Sequence, residues 1–203
     1  MGKRLLIATN NQGKVEELRG MFAGSSIEVV SLAAFGNIPE IEETGATFAE
    51  NARLKAAGYA LATGLPALAD DSGLQVAALG GRPGVLSARY GSEVSSFAQK
   101  IEMLLAEVLA SGSQDRSARF VCDITLASPN GEIVATKEGI CDGLIIEKPR
   151  GSGGFGYDPI FMPLGYEKTF GELSSAIKSQ ISHRARAFSL IMPILRDYFG
   201  ILT

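Results

Sequence analysis

Two adjacent aspartates, Asp70 and Asp71, follow the apolar run Leu65-Pro66-Ala67-Leu68-Ala69 and precede Ser72-Gly73. Carboxylates where a strand of an α/β sheet ends stand where ligands of such sheets sit. A second acidic pair, Glu42-Glu43, lies in a polar loop. Mg²⁺ takes carboxylate oxygens, keeps several waters and often bridges to substrate phosphates, so carboxylates from two segments suit it. Solvated loop charges explain the same residues equally well. Successive strand residues point to opposite faces, so a regular strand aims only one of the two aspartates at a given metal.

Three further groups bear on phosphate or base chemistry. Thr9-Asn10-Asn11-Gln12-Gly13-Lys14 leads from a strand into a helix. Free N–H groups and the dipole at a helix start favour an anion, and Lys14 adds a charge. A plain capped turn with Asn11 as N-cap reads the same way. Asn51 and Lys55 are spaced i, i+4 on one helix face; a lysine on an alanine-rich helix is ordinarily a surface residue. Gly151-Ser152-Gly153-Gly154-Phe155-Gly156 matches G-x-G-x-x-G by letter. It follows Lys148-Pro149-Arg150 and runs into Tyr157-Asp158-Pro159, so it is not a strand-to-helix dinucleotide fingerprint. Glycines around Phe155 would let backbone approach a flat ligand while the ring stacks on it, or form a turn with a packed Phe. Finally, His183, the single histidine, adjoins Arg184 in Lys178-Ser179-Gln180-Ile181-Ser182-His183-Arg184; both side chains can donate to carbonyl or phosphate oxygens.

The elements that must position these groups follow from periodicity. Residues 3–9 form a strand ahead of a helix whose Val15, Leu18, Met21 and Phe22 share a face. Residues 27–30 form a second strand, and residues 36–47 an acidic loop. Thr47-Phe48-Ala49-Glu50 is a capping box opening a helix to about residue 63. A strand over 65–69 ends in an acidic turn at 70–73. Ser96 caps a helix using Phe97, Ile101, Leu104, Leu105 and Val108 as its apolar face. Strands 117–127 and 132–141 flank the turn at 128–131. A closing helix begins near Ser182, with Phe188, Ile191, Leu195 and Tyr198 on one side and a kink or restart at Pro193. Alternating strands and helices with a central strand pair predict an α/β fold on a mixed sheet.

With 203 residues, 46% hydrophobic and 20% charged, the chain matches one folded domain spanning 1–203 rather than a disordered segment. A net charge of −3 without a basic run argues against nucleic acid polymers as partners. No apolar stretch reaches the roughly 20 residues that span a membrane. Cys122 and Cys141, without C-x-x-C spacing, read as buried thiols of a cytoplasmic protein.

Taken together, the segments 8–14, 42–56, 69–74, 80–90, 151–161 and 178–187 resemble the inosine triphosphate pyrophosphatases, also called XTP/dITP diphosphatases. The combination of A-D-D-S-G-L, G-G-F-G-Y-D-P and S-H-R carries the likeness. The resemblance implies an elongated mixed α/β fold with two lobes around a central cleft, usually homodimeric. It implies Mg²⁺-dependent hydrolysis of ITP, dITP and XTP to the monophosphate and pyrophosphate. Thr9, Asn10, Asn11, Gln12, Gly13 and Lys14 would hold the triphosphate. Glu42 and Asp71 would bind Mg²⁺, with Asp71 also the proton acceptor. Asp70 and Lys55 would stand beside the reacting phosphate, and Ser72 would contact substrate. Phe155, Gly156, Tyr157, Asp158, Lys178, His183 and Arg184 would form the base and sugar pocket. Other readings are a pyrophosphatase for other modified nucleotides and a nucleotide-binding regulator without turnover.

Overall fold

The computed structural model describes residues 3–91 and 96–201. Six strands form one mixed sheet. They are β1 (Arg4–Ile7), β2 (Glu28–Ser31), β3 (Ala67–Val76), β4 (Ser117–Ala127), β5 (Ile133–Ile145) and β6 (Phe161–Pro163), in the order β2-β1-β3-β4-β5-β6. β1 pairs in parallel with β2 and β3, and β5 antiparallel with β6. The helices are α1 (Gln12–Met21), α2 (Phe48–Thr63), α3 (Phe97–Ala110), α4 (Ser175–Ile181) and α5 (His183–Tyr198). The mixed α/β fold predicted from the alternation of elements is therefore present.

The chain divides into two compact units. One comprises residues 1–71, 122–139 and 184–203; the other comprises 72–121 and 140–183. In the first unit, strand alternation builds two cores. Leu5, Ile7, Leu68, Cys122, Ile124 and Leu126 pack with Val15 and Leu18 of α1 and with Ala187, Phe188, Ile191 and Leu195 of α5. Leu6, Ala8, Ala67, Ala69 and Ala127 pack with Ala56, Tyr59 and Ala60 of α2. The second unit has one core, including Leu74, Val76, Leu104, Phe120, Tyr157, Phe161 and Phe170.

Several boundaries differ from the sequence expectation. The acidic turn expected at 70–73 is strand: β3 continues unbroken to Val76. Buried partners for both aspartates, described below, let polar residues extend a strand that propensity alone ends at Ala69. The closing helix α5 starts beside Ser182 as the sequence predicts, and a further short helix, α4, precedes it. Ser174 caps α4, accepting from the Ile177 N–H, and Ser182 is extended (ψ 157°) before α5 starts. α5 then includes Pro193 without a restart. The fully buried Ile191 and Leu195 on either side hold that turn in the core despite the missing N–H. Phe97 is 37% exposed, lying edge-on to Tyr157 rather than in the core.

The caps read from sequence are formed. Asn11 accepts from the Lys14 N–H, and Ser96 from that of Gln99. Thr47 accepts from the Glu50 N–H while the Glu50 carboxylate accepts from that of Thr47. Glu50 also accepts from Ala46 N–H at 2.7 Å, tying the incoming loop to α2. Replacing Thr47 with Ala is expected to destabilise the protein by about 1 kcal/mol, read as a lower denaturant midpoint at unchanged slope.

Candidate active site

Alternation along β3 separates the two aspartates. Asp70 has the parity of Leu68 and faces α1 and α5; Asp71 has the parity of Ala67 and Ala69 and faces α2. Asp70 is 0% exposed. Its Oδ2 lies 3.1 Å from Lys14 Nζ and accepts from Arg184 Nε and Nη2 at 3.2 and 3.0 Å. The Cys122 thiol approaches the same oxygen at 3.8 Å. Arg184, 1% exposed, also donates to Glu17. Burial alone would raise the Asp70 carboxyl, but Lys14, Arg184 and Lys55 outweigh it and hold the group far below the usual carboxylate range. Asp70 is thus a permanent anion that seats two cations.

Asp71 sits in a different field. Asn51 Nδ2 donates to its Oδ2 at 3.2 Å and Lys55 Nζ to its Oδ1 at 3.1 Å. The same ammonium donates to Glu43 Oε1 at 2.7 Å. The Asn51 carbonyl accepts from Gly45 N–H at 2.8 Å, which fixes the amide's orientation. A Cβ on Gly45 would lie 2.8 Å from that oxygen and 2.6 Å from Glu50 Cβ, so the loop approaches α2 this closely only with glycine. Burial and Glu43 raise the Asp71 carboxyl against the pull of Lys55 and Lys14, and burial prevails. Lys55 is 8% exposed, not the surface residue its alanine-rich helix suggests. Burial disfavours its charge, yet Asp71, Asp70 and Glu43 reverse that and keep it a firm cation.

The Thr9 hydroxyl accepts from Asn11 N–H at 3.2 Å, while Asn10 and Gln12 are exposed and Gly13 is half-buried. Glu42 is exposed, and its neighbour Glu43 makes the Lys55 contact. Two carboxylates converging on one ammonium form a hard-oxygen donor set of the kind Mg²⁺ shares with phosphate and water. Among the described residues no three His, Cys, Asp or Glu side chains form a group that could hold a metal ion by themselves.

Asp123 escaped the sequence reading, although a lone carboxylate amid Phe120-Val121-Cys122 and Ile124 was a signal. Cys122 touches Asp70, so Asp123 takes the opposite, Asp71-facing side of the sheet. Beside it, Thr125 and Thr136 hydroxyls are hydrogen-bonded at 3.0 Å and Arg53 Nε donates to Thr136 at 3.1 Å. Burial, then Glu138 and Asp71, push the Asp123 carboxyl up to about 6 against the pull of Arg53.

The second unit assembles the glycine-rich loop with α4. Lys178 Nζ donates to Asp158 Oδ2 at 2.5 Å and lies 4.9 Å from the Phe155 ring centre and 5.7 Å from that of Phe170. Asp158 Oδ2 also accepts from Phe155 N–H at 2.9 Å. Gly154 has φ +69°, and a Cβ there would fall 1.9 Å from that carboxylate oxygen. The buried Tyr157 donates to the Ser87 carbonyl at 3.0 Å, and Gly156 is half-buried beside it. The His183 ring stacks on Phe120 at 4.7 Å and 14°. Ser72 is half-buried in β3. Of the pocket group expected from sequence, Phe155, Asp158 and Lys178 are in contact. Arg184 instead gives its guanidinium to Asp70 and Glu17.

A mixed α/β protein with a buried lysine–carboxylate cluster on either face of β3 and a lysine-capped aromatic loop belongs among enzymes acting on phosphorylated ligands. The chain is a member of the Ham1 family, whose model matches residues 5–194. A dITP/XTP pyrophosphatase of Geobacillus kaustophilus is 50% identical over 187 residues, covering 92% of this chain and 91% of that protein. One from Streptomyces coelicolor is 44% identical over 97% of this chain and 99% of its own. A solved HAM1 protein from Coxiella burnetii superposes with a TM-score of 0.87 at 39% identity, covering 96% of this chain and 98% of its own. The Staphylococcus aureus Ham1 protein gives 0.84 at 40%, covering 97% and 100%.

Two stability outcomes separate the aspartates. Asp70→Asn leaves Lys14 and Arg184 without their buried anion and should cost about 3–5 kcal/mol, whereas Asp71→Asn should change the unfolding midpoint far less. For Asp123, the folded pKa lies above the ordinary 3.8, so folding favours the protonated form and its charge becomes a burden as pH rises through about 6. Asp123→Asn should therefore raise the melting temperature at pH 7–8, with the gain vanishing by pH 4.

Proposed function

We propose that this protein hydrolyses non-standard purine nucleoside triphosphates, ITP, dITP and XTP, to the nucleoside monophosphate and pyrophosphate. The observation that carries the chemistry is Asp71, a carboxyl raised by burial and held by Asn51 and Lys55. The substrate class is supported by the dITP/XTP pyrophosphatases that share 44–50% of its residues over most of their length.

Water attacks the α-phosphorus, the bond from it to the bridging oxygen breaks, and pyrophosphate leaves with the electron pair. Asp71 accepts the proton of the attacking water; its raised affinity for protons makes it a better base than a solvated aspartate. Asn51 keeps its second oxygen in place. Lys55 and Lys14 offset charge growing on the phosphate oxygens, and Asp70 holds Lys14 ready for this. Asp71 and Glu43, whose oxygens converge at Lys55, with the exposed Glu42 adjoining Glu43, would hold a Mg²⁺ that supplies further charge neutralisation. The Phe155 ring, with Lys178 beside it, suits a flat base, and donors near it would favour a 6-oxo group over adenine's amino group. The working form is a cytoplasmic homodimer.

Incubating the protein with ITP, XTP and dITP and Mg²⁺ should release pyrophosphate rather than orthophosphate, with ATP, dUTP and methylated nucleotides turned over much more slowly. Absence of metal-dependent pyrophosphate would remove the enzyme reading and leave a nucleotide-binding regulator. Faster turnover of dUTP or methylated nucleotides would move the substrate class. Asp71→Asn should lower kcat by several orders of magnitude at retained melting temperature.

A further inference from the structure

Glycine is among the poorest helix formers, yet Gly58 stands within α2. A Cβ at that position would lie 2.6 Å from Ile41 Cδ1, 2.9 Å from its Cγ1 and 3.4 Å from its Cγ2. The Ile41 side chain thus occupies the notch that the missing Cβ leaves in the helix surface. Isoleucine is β-branched and stiff at χ1, so it could not swing clear by moving its far end alone. The next residue of α2, the buried Tyr59, holds the same point of the loop, its hydroxyl accepting from Ile41 N–H at 3.4 Å.

Ile41 directly precedes Glu42-Glu43. From there the acidic loop runs along α2 toward the helix start in steps of two residues. Ile41 meets Gly58, Glu43 accepts from Lys55 at 2.7 Å, and Gly45 N–H donates to the Asn51 carbonyl at 2.8 Å. Asn51, Lys55 and Gly58 are spaced four and three apart, so they form one face of the helix. Ile41, Glu43 and Gly45 are half-buried, whereas Glu42 and Thr44 are exposed. Because alternate residues face the helix, a slip of one would turn Glu43 to solvent and take Gly45 away from Asn51, the amide that orients Asp71. The polar contacts do not forbid that slip: an ammonium accepts either neighbouring carboxylate, and an amide oxygen accepts any N–H. The fit of Ile41 into the Gly58 notch depends on shape and admits one register.

We propose that Gly58 and Ile41 form the joint that fixes the acidic loop on α2, which makes Gly58 a positioning residue for Glu43 and for the Asn51–Asp71 pair. Gly58 acts through Ile41. The effect on turnover rests on the proposed reaction; the joint itself does not.

Gly58→Ala, Ile41→Ala and the double variant test this. Alanine favours helix over glycine, so the melting temperature of Gly58→Ala should stay at or above that of the wild type. Its loop, pushed off the helix, should release the Gly45 amide, whose hydrogen exchange should quicken about tenfold or more. The kcat for ITP should fall about tenfold or more with KM within about threefold. A fault confined to stability would lower the melting temperature and leave kcat of the folded enzyme intact. Ile41→Ala, which leaves α2 untouched, should lower kcat about three- to fivefold. The double variant should match Ile41→Ala alone, because the new methyl then meets no opposing side chain. Wild-type Gly45 exchange in Gly58→Ala and Ile41→Ala would overturn the joint, as would a double variant no better than Gly58→Ala. Altered exchange with kcat within twofold of wild type would overturn the positioning role. If the wild type releases no pyrophosphate from ITP, the reaction reading fails on that result alone, whereas exchange at Gly45 still decides the joint.

Discussion

Neighbouring residues of a β-strand cannot face the same way, and the first unit is organised by that constraint. Asp70 and Asp71 differ by one position in β3, and the pleat sends them into different surroundings. One meets Lys14 of α1 and Arg184 of α5; the other meets Asn51 and Lys55 of α2. Similar burial has opposite consequences because the number of cations differs. Two close cations overcome desolvation at Asp70 and make it permanently ionised. At Asp71 one close lysine, shared with Glu43, does not overcome it, so the carboxyl keeps a raised affinity for protons. An identical side chain becomes a structural anion on one face and a candidate base on the other.

This division also arranges the cations. Lys14 and Lys55 are long, flexible groups that would lose considerable freedom on meeting phosphate. Each is already held by a carboxylate, so part of that ordering is complete in the free protein. The supporting layer is specific as well: Gly45 lets its loop press on Asn51, and Asn51 in turn orients Asp71. In the second unit a comparable economy appears around Asp158, whose one oxygen holds both Lys178 and the Phe155 N–H beside the ring. Gly154 is required there because the carboxylate occupies the space a side chain would fill.

The sequence by itself determined the mixed α/β class, most elements, and the caps at Asn11, Thr47 and Ser96, because these depend on local periodicity and on side chains within three residues of a helix start. The family likeness, carried by six separated segments, was legible too. Only the tertiary structure decided that Lys55 is buried, that Arg184 serves Asp70 and Glu17, that Glu43 reaches Lys55, and that Asp123 shares the face of Asp71. Those outcomes depend on which helix covers which face of the sheet and on residues up to 167 positions apart, which no local pattern encodes. The continuation of β3 through Asp70-Asp71 is the clearest instance. Propensity ends that strand, and buried partners from three helices extend it.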